Sequence, residues 1–259
     1  MGRPYQRQPL IKEINRECID EVISTNKKYN TKYGFLHIPK TGGSSIMRFF
    51  EQNHEFIKEM PVPLFHSWNL ELIHSYFPSM KLVFAIRDPL ERTISGFQSR
   101  LRMGTPDYYV PWSGPEATSF GMYRCPEEFL DGLLEDSDYH VSATTYALES
   151  IIAISWNYAY YFKDVETLNA HIHMLGPITN VSYLNQYLEH LINVSIIQLQ
   201  DPGQAQGILS RLQQAHKSQQ SSKDFLQKYS QDEINRIKAR LHDEYEIYEA
   251  LKNAATRSN

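Results

Sequence analysis

The stretch Phe35–Ser45 reads FLHIPKTGGSS, an apolar run followed by a proline, a lysine, two glycines and two serines. The residues from Tyr33 to Ile38 have the apolar composition of a short buried strand, and a helix is expected to begin at the serines. A glycine turn between a strand and a helix offers backbone N–H groups and the positive end of a helix dipole to an anion. Lys40 adds a mobile charge, while Ser44 and Ser45 add hydroxyl donors. The turn is therefore predicted to bind a phosphate-like group.

The residue order in this turn differs from that of the common nucleotide-binding P-loop. A Walker loop has a glycine, four residues, and then Gly-Lys-Ser/Thr, whereas here Lys40 precedes Gly42 and Gly43. This order disfavours an ordinary P-loop ATPase. Taken alone, the motif leaves open a second interpretation, a tight turn that contains lysine and serine by chance.

A second strand, turn and helix are predicted from KLVFAIRDPLERTISGF at Lys81–Phe97. Arg87 lies at the end of the predicted strand, and Ser95 lies roughly two turns into the predicted helix. Ligands bind beyond the carboxyl ends of strands in an open parallel sheet, so Arg87 and the Lys40 turn are expected to face one crevice. Arg-Asp-Pro is also a common helix cap, in which Asp88 would accept from helix N–H groups.

Together, IPKTGGSS at 38–45 and LVFAIRDPLERTISGF at 82–97 resemble the two binding signatures of sulfotransferases that use 3′-phosphoadenosine 5′-phosphosulfate (PAPS). The similar branch contains the Golgi carbohydrate and heparan-type enzymes and bacterial relatives, and the C-terminal segment 229–251 is similar to the family's ending. The resemblance implies that Arg87 and Ser95 bind the 3′-phosphate. It implies that the 5′-phosphosulfate is surrounded by the residues of the first signature: Lys40, Thr41, Gly42, Gly43, Ser44 and Ser45.

The alternation of apolar strands and helices predicts an α/β fold with a parallel sheet covered on both faces. With the resemblance, this implies a P-loop-NTPase-like three-layer sandwich, a central parallel sheet flanked by helices. One sulfotransferase domain over residues 1–259 is expected, with a helical N-terminal extension at 1–32 whose amphipathic helix covers 10–29. Asn69 is predicted to cap a further helix that leads into the second strand.

The segment from Met103 to Pro126 is rich in Gly, Pro, Tyr and Trp. It is too long for an ordinary connection and is predicted to be a substrate loop or lid, with a disordered insertion as the alternative. The rest of the chain is predicted to be mostly helical, with strands at 172–178 and 194–199. A long charged helix is predicted from Gln231 to Lys252.

Sulfuryl transfer to a hydroxyl requires charge stabilisation on the leaving phosphate and an acceptor for the hydroxyl proton. Lys40 is the predicted partner of the leaving oxygen. His66 is the predicted general base, because related enzymes of this branch carry a catalytic histidine at this place. Glu51 and Glu71 are the alternative bases, since some relatives use a glutamate from this part of the fold. Two other histidines of this region are predicted to be structural: His37 and His74.

Composition excludes several partners. The chain has 26 Lys and Arg residues against 30 Asp and Glu residues, a net charge of −4, so no global basic field attracts nucleic acid or polysulfated polymers. No apolar run approaches the roughly 20 residues of a membrane helix, and the N-terminus lacks the apolar core of a signal peptide. Two cysteines are too few for a disulfide framework, so a cytoplasmic protein is expected. Neither the motifs nor the reaction calls for a metal.

The acceptor is expected to be a small hydroxylated molecule. The acidic run at 127–138 would favour a neutral or cationic compound if it lined the acceptor cleft, although a solvated helix face is the simpler interpretation. A secondary metabolite fits, for example a cyanobacterial guanidinium alkaloid of the cylindrospermopsin or saxitoxin type. The alternatives are a carbohydrate sulfotransferase, a P-loop-like small-molecule kinase and a non-catalytic module that binds adenosine 3′,5′-bisphosphate (PAP).

Overall fold

A computed structural model describes residues 16–52, 60–106, 108–167 and 222–257. These residues divide into two compact units. The first, the sheet unit, contains the described residues 16–52, 60–87 and 250–257. The second, the helical unit, contains the described residues 88–106, 108–167 and 222–249.

The sheet unit alternates helices and short strands. Its elements are α1 (Arg16–Tyr29), β1 (Tyr33–Leu36), α2 (Gly43–Gln52), β2 (Val62–Leu64), α3 (Leu70–Tyr76) and β3 (Lys81–Val83). The three strands are parallel in the order β2-β1-β3, with Gly34 of β1 opposite Val62 on one side and Leu82 on the other. An α/β fold with a small parallel sheet is thus confirmed, while the finer prediction of a three-layer sandwich stays a prediction.

The central strand β1 is closely packed on both sides. Phe35 and Leu36 are fully buried. A Cβ atom at Gly34 would lie 2.5 Å from Sδ of Met80 and 3.1 Å from Cδ1 of Leu64. The absence of a side chain at Gly34 therefore lets Met80 and Leu64 pack directly against β1. This packing holds β1 in place and with it the start of the turn that follows.

Strand β2 is absent from the sequence-based prediction. It has three residues and a proline, Pro63, at its centre, and proline lacks the N–H group that a central strand needs. In the described sheet β2 pairs with β1 alone, so Pro63 is tolerated at this edge. The strand leads directly to Phe65 and His66 and so determines where the predicted base lies.

Helix α3 confirms the predicted cap. The side-chain oxygen Oδ1 of Asn69 accepts a hydrogen bond from the N–H group of Leu72 at 2.9 Å. Asparagine is favoured at this position because it satisfies one of the N–H groups left without a partner in the first turn.

The helical unit is built around α4. Its helices are α4 (Pro89–Leu101), α5 (Gly114–Met122), α6 (Pro126–Leu134), α7 (Asp138–Ser150), α8 (Ile152–Ser155), α9 (Tyr158–Phe162), α10 (Ser222–Leu226), α11 (Gln231–Arg240) and α12 (His242–Arg257). Residues 250–257 of α12 are grouped with the sheet unit. Leu90, Ile94 and Phe97 place one face of α4 in a buried apolar cluster with residues of α5, α6, α7, α10 and α11.

Two predictions for this unit need correction. The aromatic segment 103–126 is not one continuous loop, because α5 occupies Gly114–Met122 behind a capping box formed by Ser113 and Glu116. The single helix predicted from Gln231 to Lys252 is two helices, which separate at the buried Leu241 with φ −108° and ψ 21°. The strands predicted at 172–178 and 194–199, and the first part of the helix predicted at 10–29, lie outside the described residues.

No helix in the described ranges is both long and apolar enough to cross a membrane.

Candidate active site

The candidate site lies at one edge of the parallel sheet. Because β1, β2 and β3 are parallel, their carboxyl ends meet at the same edge, where ligands bind in open α/β sheets. His37 follows β1 directly, and His66 comes two residues after β2. Arg87 follows the short segment beyond β3. The sheet thus brings three predicted site elements, the Lys40 turn, His66 and Arg87, to one edge.

The turn between β1 and α2 uses two residues with positive φ. Lys40 has φ 64° and Gly42 has φ 93°, a region that residues with a side chain adopt rarely. Between them, Oγ1 of Thr41 donates a hydrogen bond to the carbonyl of Ile38 at 2.9 Å. This bond closes the turn immediately before α2 begins at Gly43.

The turn is suited to an anion. Its backbone leads into the first turn of the ten-residue helix α2, where N–H groups have no partner within the helix. Lys40 is half-buried, and Ser44 is exposed in the first turn. The side chain of Ser45 lies outside the described part of the structure. Binding of a phosphosulfate by these residues stays a prediction.

His66 is held by the main chain of His37. Its Nδ1 atom lies 2.5 Å from the carbonyl oxygen of His37, and the two imidazole rings have centroids 4.2 Å apart at 44°. A carbonyl oxygen can only accept, so Nδ1 of His66 must carry the proton. In the neutral ring Nε2 then holds the lone pair, which is the form a general base needs.

The surroundings keep both rings neutral. Burial lowers the pKa of His37 to about 3, and the charges of His66 and Lys40 act in the same direction. Burial also lowers the pKa of His66; the hydrogen bond to the carbonyl of His37 opposes this shift, and the charge of Lys40 adds to it. Two neutral histidines beside one lysine therefore lie at the carboxyl edge near neutral pH.

This arrangement predicts acid sensitivity of the sheet unit. The folded-state pKa of His37, about 3, lies below the usual value of 6.5, so the unfolded chain binds more protons between these values. The contribution of His37 to stability is therefore fully present above pH 6.5, and it is lost as the pH falls towards 3. Because the unfolded chain binds a proton at His37, the free energy of unfolding should fall by on the order of 1–2 kcal/mol between pH 7 and pH 5. Urea unfolding at the two pH values would measure this, and His37→Phe should reduce the difference; an unchanged difference would contradict it.

The remaining predicted residues are placed as follows. Arg87 is half-buried, while Ser95 lies on α4 of the helical unit and is also half-buried. The alternative bases Glu51, in α2, and Glu71, in the first turn of α3, are both exposed. His74 is exposed near the end of α3. None of these placements tests the predicted roles, which stay predictions.

The helix-cap interpretation of Asp88 is confirmed. Its Oδ1 atom accepts from the N–H groups of Leu90 at 3.0 Å and of Glu91 at 3.1 Å. Tyr245 donates its hydroxyl to the same carboxylate, at 2.9 and 3.0 Å from the two oxygens. The sequence-based site did not include Tyr245, although this residue lies in the segment 229–251 that resembles the family's ending.

His37 is the other residue that the sequence-based site omitted. The prediction counted it within the first strand and treated it as structural, but β1 ends at Leu36 and His37 lies beyond it. The rule that ligands bind beyond the carboxyl ends of parallel strands could have placed it at this edge. Its contact with His66 depends on β2, which the sequence did not reveal.

The described residues contain no group of three or more His, Cys, Asp or Glu side chains that could hold a metal ion.

Comparison with known proteins identifies the family. The model of the Sulfotransferase family matches residues 25–249, a range that includes the Lys40 turn, His66 and Arg87. Comparisons with curated proteins and with solved structures found no match. Because the family match covers most of the chain, the resemblance seen in the two signatures is confirmed, and the chain belongs to the sulfotransferase family.

Proposed function

We propose that this protein transfers the sulfuryl group of PAPS to a hydroxyl group of a small acceptor and releases PAP. The observation that carries the proposal is the neutral His66 ring, with Nδ1 bound to the carbonyl of His37, beside Lys40 and an anion-suited turn. Membership of the sulfotransferase family supports the reaction class. The use of PAPS rests on the similarity of the two signatures.

In the proposed reaction His66 accepts the proton of the acceptor hydroxyl. The acceptor oxygen forms a bond to sulfur while the bond from sulfur to the 5′-phosphate oxygen breaks, and the acceptor proton moves to Nε2 of His66. The carbonyl of His37 keeps the proton on Nδ1 and so leaves Nε2 as the receiving atom. A positioned base of this kind contributes typically 10²–10⁴-fold to the rate.

Lys40 and the turn stabilise the leaving group. Negative charge grows on the bridging oxygen of the 5′-phosphate as the sulfuryl group departs, and a nearby ammonium group stabilises it more in the transition state than in the ground state. The positive φ of Lys40 and Gly42 directs the chain into the start of α2. The N–H groups there supply further donors to the non-reacting oxygens.

The acceptor class rests on charge, not on the acidic run at 127–138. Three carboxylates of this run have partners within the helical unit: Glu127 with Lys228, Asp131 with Tyr229, and Asp136 with Arg236 and Arg240. These contacts join α6 and the short segment after it to α11 and the residues just before α11. The acidic run therefore stabilises helix packing, and the net charge of −4 is what disfavours a polyanionic acceptor. A secondary metabolite remains our proposal for the acceptor.

A screen with PAPS tests the reaction. The protein is incubated with PAPS and a panel of hydroxylated small molecules and sugars, and the products are analysed for a sulfate mass gain and for PAP. Sulfated product with stoichiometric PAP supports the proposal. ADP formed from ATP would indicate a kinase, and tight PAP binding without product from any acceptor would indicate a binding module.

A comparison of PAP with AMP tests the second signature. The two nucleotides differ only in the 3′-phosphate, which we propose that Arg87 binds; Ser95 is the second residue implied by the resemblance. PAP at 100 times its dissociation constant should stabilise the protein by about 2.7 kcal/mol, and AMP at the same concentration should stabilise it much less. Differential scanning fluorimetry measures both shifts.

Two variants sharpen this comparison. Arg87→Met should reduce the PAP shift towards the AMP shift, because the 3′-phosphate loses its cation. Lys81→Met is the matched control, since the exposed Lys81 lies at the amino end of the same strand β3 and away from the carboxyl edge. Equal shifts from PAP and AMP in the unmodified protein would remove the assignment of Arg87.

A further inference from the structure

We propose that His37 is a positioning residue that acts through His66, holding its ring in one orientation and one tautomer for proton abstraction. The inference rests on the proposed function in one respect, that His66 is the base. It adds a residue outside both binding signatures, one that the sequence indicated to be structural. The argument depends on what surrounds the ring of His37 on its two sides.

On one side the ring of His37 lies against the first residue of α2. A Cβ atom on Gly43 would lie 2.6 Å from Nε2 of His37 and would collide with its Cδ2 atom. Real Cβ atoms do not come this close to an imidazole ring, so the ring could not occupy this place over any residue but glycine. Gly43 is therefore explained by His37 as well as by the anion-binding turn.

On the other side the same ring lies against His66. The ring centroids are 4.2 Å apart, within the range of direct aromatic contact. The ring of His37 is thus held between the start of α2 and the His66 ring. It fills space that water would otherwise occupy beside the predicted base.

His37 also restricts His66 through its main chain. The carbonyl oxygen of His37 accepts the Nδ1 proton of His66, so one residue contacts the base both at its ring face and at its Nδ1 edge. A His66 ring that rotates about its side-chain bonds loses the hydrogen bond and the ring contact together. Two contacts from the residue that follows β1 therefore define the direction of Nε2.

The charges around His66 agree with this role. Burial of the His66 ring lowers its pKa most, the hydrogen bond to the main-chain carbonyl of His37 raises it, and the charge of Lys40 lowers it. Removing the His37 ring would admit water and remove part of that burial. The pKa of His66 should then rise towards the usual histidine value.

The first test is NMR spectroscopy of the protein without nucleotide. Long-range ¹H–¹⁵N spectra of the imidazole rings report the tautomer and the pKa of each histidine, and His66→Ala and His74→Ala assign two of the signals. We expect the Nδ1–H tautomer for His66. In His37→Ala, which keeps the main-chain carbonyl that accepts from Nδ1, the tautomer should persist, but the pKa of His66 should rise by on the order of one unit because the ring beside it is lost. Gly43→Ala, which displaces the same ring, should shift the pKa in the same direction.

The second test uses kinetics with PAPS and an acceptor from the screen. His37→Ala should lower kcat about tenfold above pH 7, where His66 is neutral in both proteins, because the base is less well oriented. The acid limb of the kcat profile should move to higher pH, and KM for PAPS should change little. His37→Phe keeps an aromatic ring, so its kcat should fall less than that of His37→Ala. In a His66→Ala background, His37→Ala should cause no further loss, as expected for a residue that acts through the base.

The outcomes separate the inference from the proposed function. If His66 carries its proton on Nε2, or keeps its pKa in both His37→Ala and Gly43→Ala, the positioning role is wrong even when sulfuryl transfer is observed. Additive losses in the double variant would overturn it as well. If the NMR results are as expected but no acceptor is sulfated, the contact between the rings stands and the proposed reaction is the part that fails.

Discussion

Replacing His66 by alanine is expected to lower the turnover number by a factor on the order of 10²–10⁴ and to leave PAP affinity nearly unchanged. The side chain is proposed to receive the acceptor proton, so its loss removes an interaction made only in the transition state. Steady-state kinetics with PAPS and calorimetric titration with PAP measure the two quantities. His74→Ala is the matched control, because it removes an exposed histidine of the same unit.

The pH dependence of the unmodified protein gives a second measure of the same role. A base must be neutral, so the rate should rise with pH through the pKa of His66 and then level off. Because burial lowers that pKa, the rise should be complete at a lower pH than the ordinary histidine value of about 6.5 would give. The acid limb should be absent from the residual activity of His66→Ala.

Other results would assign His66 differently. A variant that loses thermal stability and PAP binding together with its rate would indicate a structural histidine. A stable variant that binds PAP and retains near-normal turnover would show that His66 is not the base. Glu51 and Glu71 would then be the next residues to replace, although both are exposed in the structure.

The turn after β1 could be predicted from the sequence because its signals are local. An apolar strand, a glycine pair and a helix start are consecutive at 33–52, and each element is defined by its own residues. The cap of α3 at Asn69 and the start of α4 at Pro89 were predictable for the same reason. Local chemistry at these places agrees with the final fold.

The contact between His37 and His66 could not be predicted in the same way. It depends on β2, whose three residues include a proline and give no strand pattern. Only the pairing of Gly34 with Val62 places the end of β2 beside the end of β1. Local sequence patterns do not reveal a pairing between residues so distant in sequence, because it depends on how the whole sheet is assembled.

The separation of α11 and α12 at Leu241 is a tertiary effect of the same kind. The segment around Leu241 contains neither glycine nor proline, so its composition favours one continuous helix. In the structure Leu241 is buried in the core of the helical unit. Packing of this side chain overrides the local preference.

The helical unit contains a buried ion pair whose loss should have the second large effect. Arg100 and Glu116 have side chains that are 3% and 2% exposed, and Nε of Arg100 lies 2.7 Å from Oε1 of Glu116. A second bond joins Nη2 to Oε2 at 2.8 Å. The guanidinium also donates to the carbonyls of Val110 and Pro111. One side chain therefore fixes the non-helical segment before α5.

Glu116 has further donors around it. Its carboxylate accepts from the N–H groups of Ser113 at 3.1 Å and Ile152 at 3.2 Å. Burial opposes its ionisation, but the hydrogen bonds from Arg100 and Ser113 hold the pKa of Glu116 below its usual value. The pair is thus charged at neutral pH, and its stabilising contribution is lost as the pH falls through the lowered folded-state pKa.

Arg100→Met should lower the free energy of unfolding of the helical unit by about 3–5 kcal/mol, because it leaves the carboxylate of Glu116 buried without its cation. Lys228→Met is the matched control: it breaks the more exposed pair with Glu127, whose side chains are 60% and 28% exposed, and should cost less than about 1 kcal/mol. Urea unfolding measures both values.

The double variant Arg100→Met/Glu116→Leu separates a lost pair from a stranded charge. It should be more stable than Arg100→Met, since the carboxylate that lost its cation is then absent.

Hydrogen exchange should become faster at residues 108–113 in both variants, because the carbonyls of Val110 and Pro111 lose their donor. A loss below 1 kcal/mol in Arg100→Met would mean that water reaches Glu116 and replaces the cation. If either variant also raises KM for the acceptor without changing KM for PAPS, this segment contributes to acceptor binding, as predicted from the length and composition of the segment 103–126.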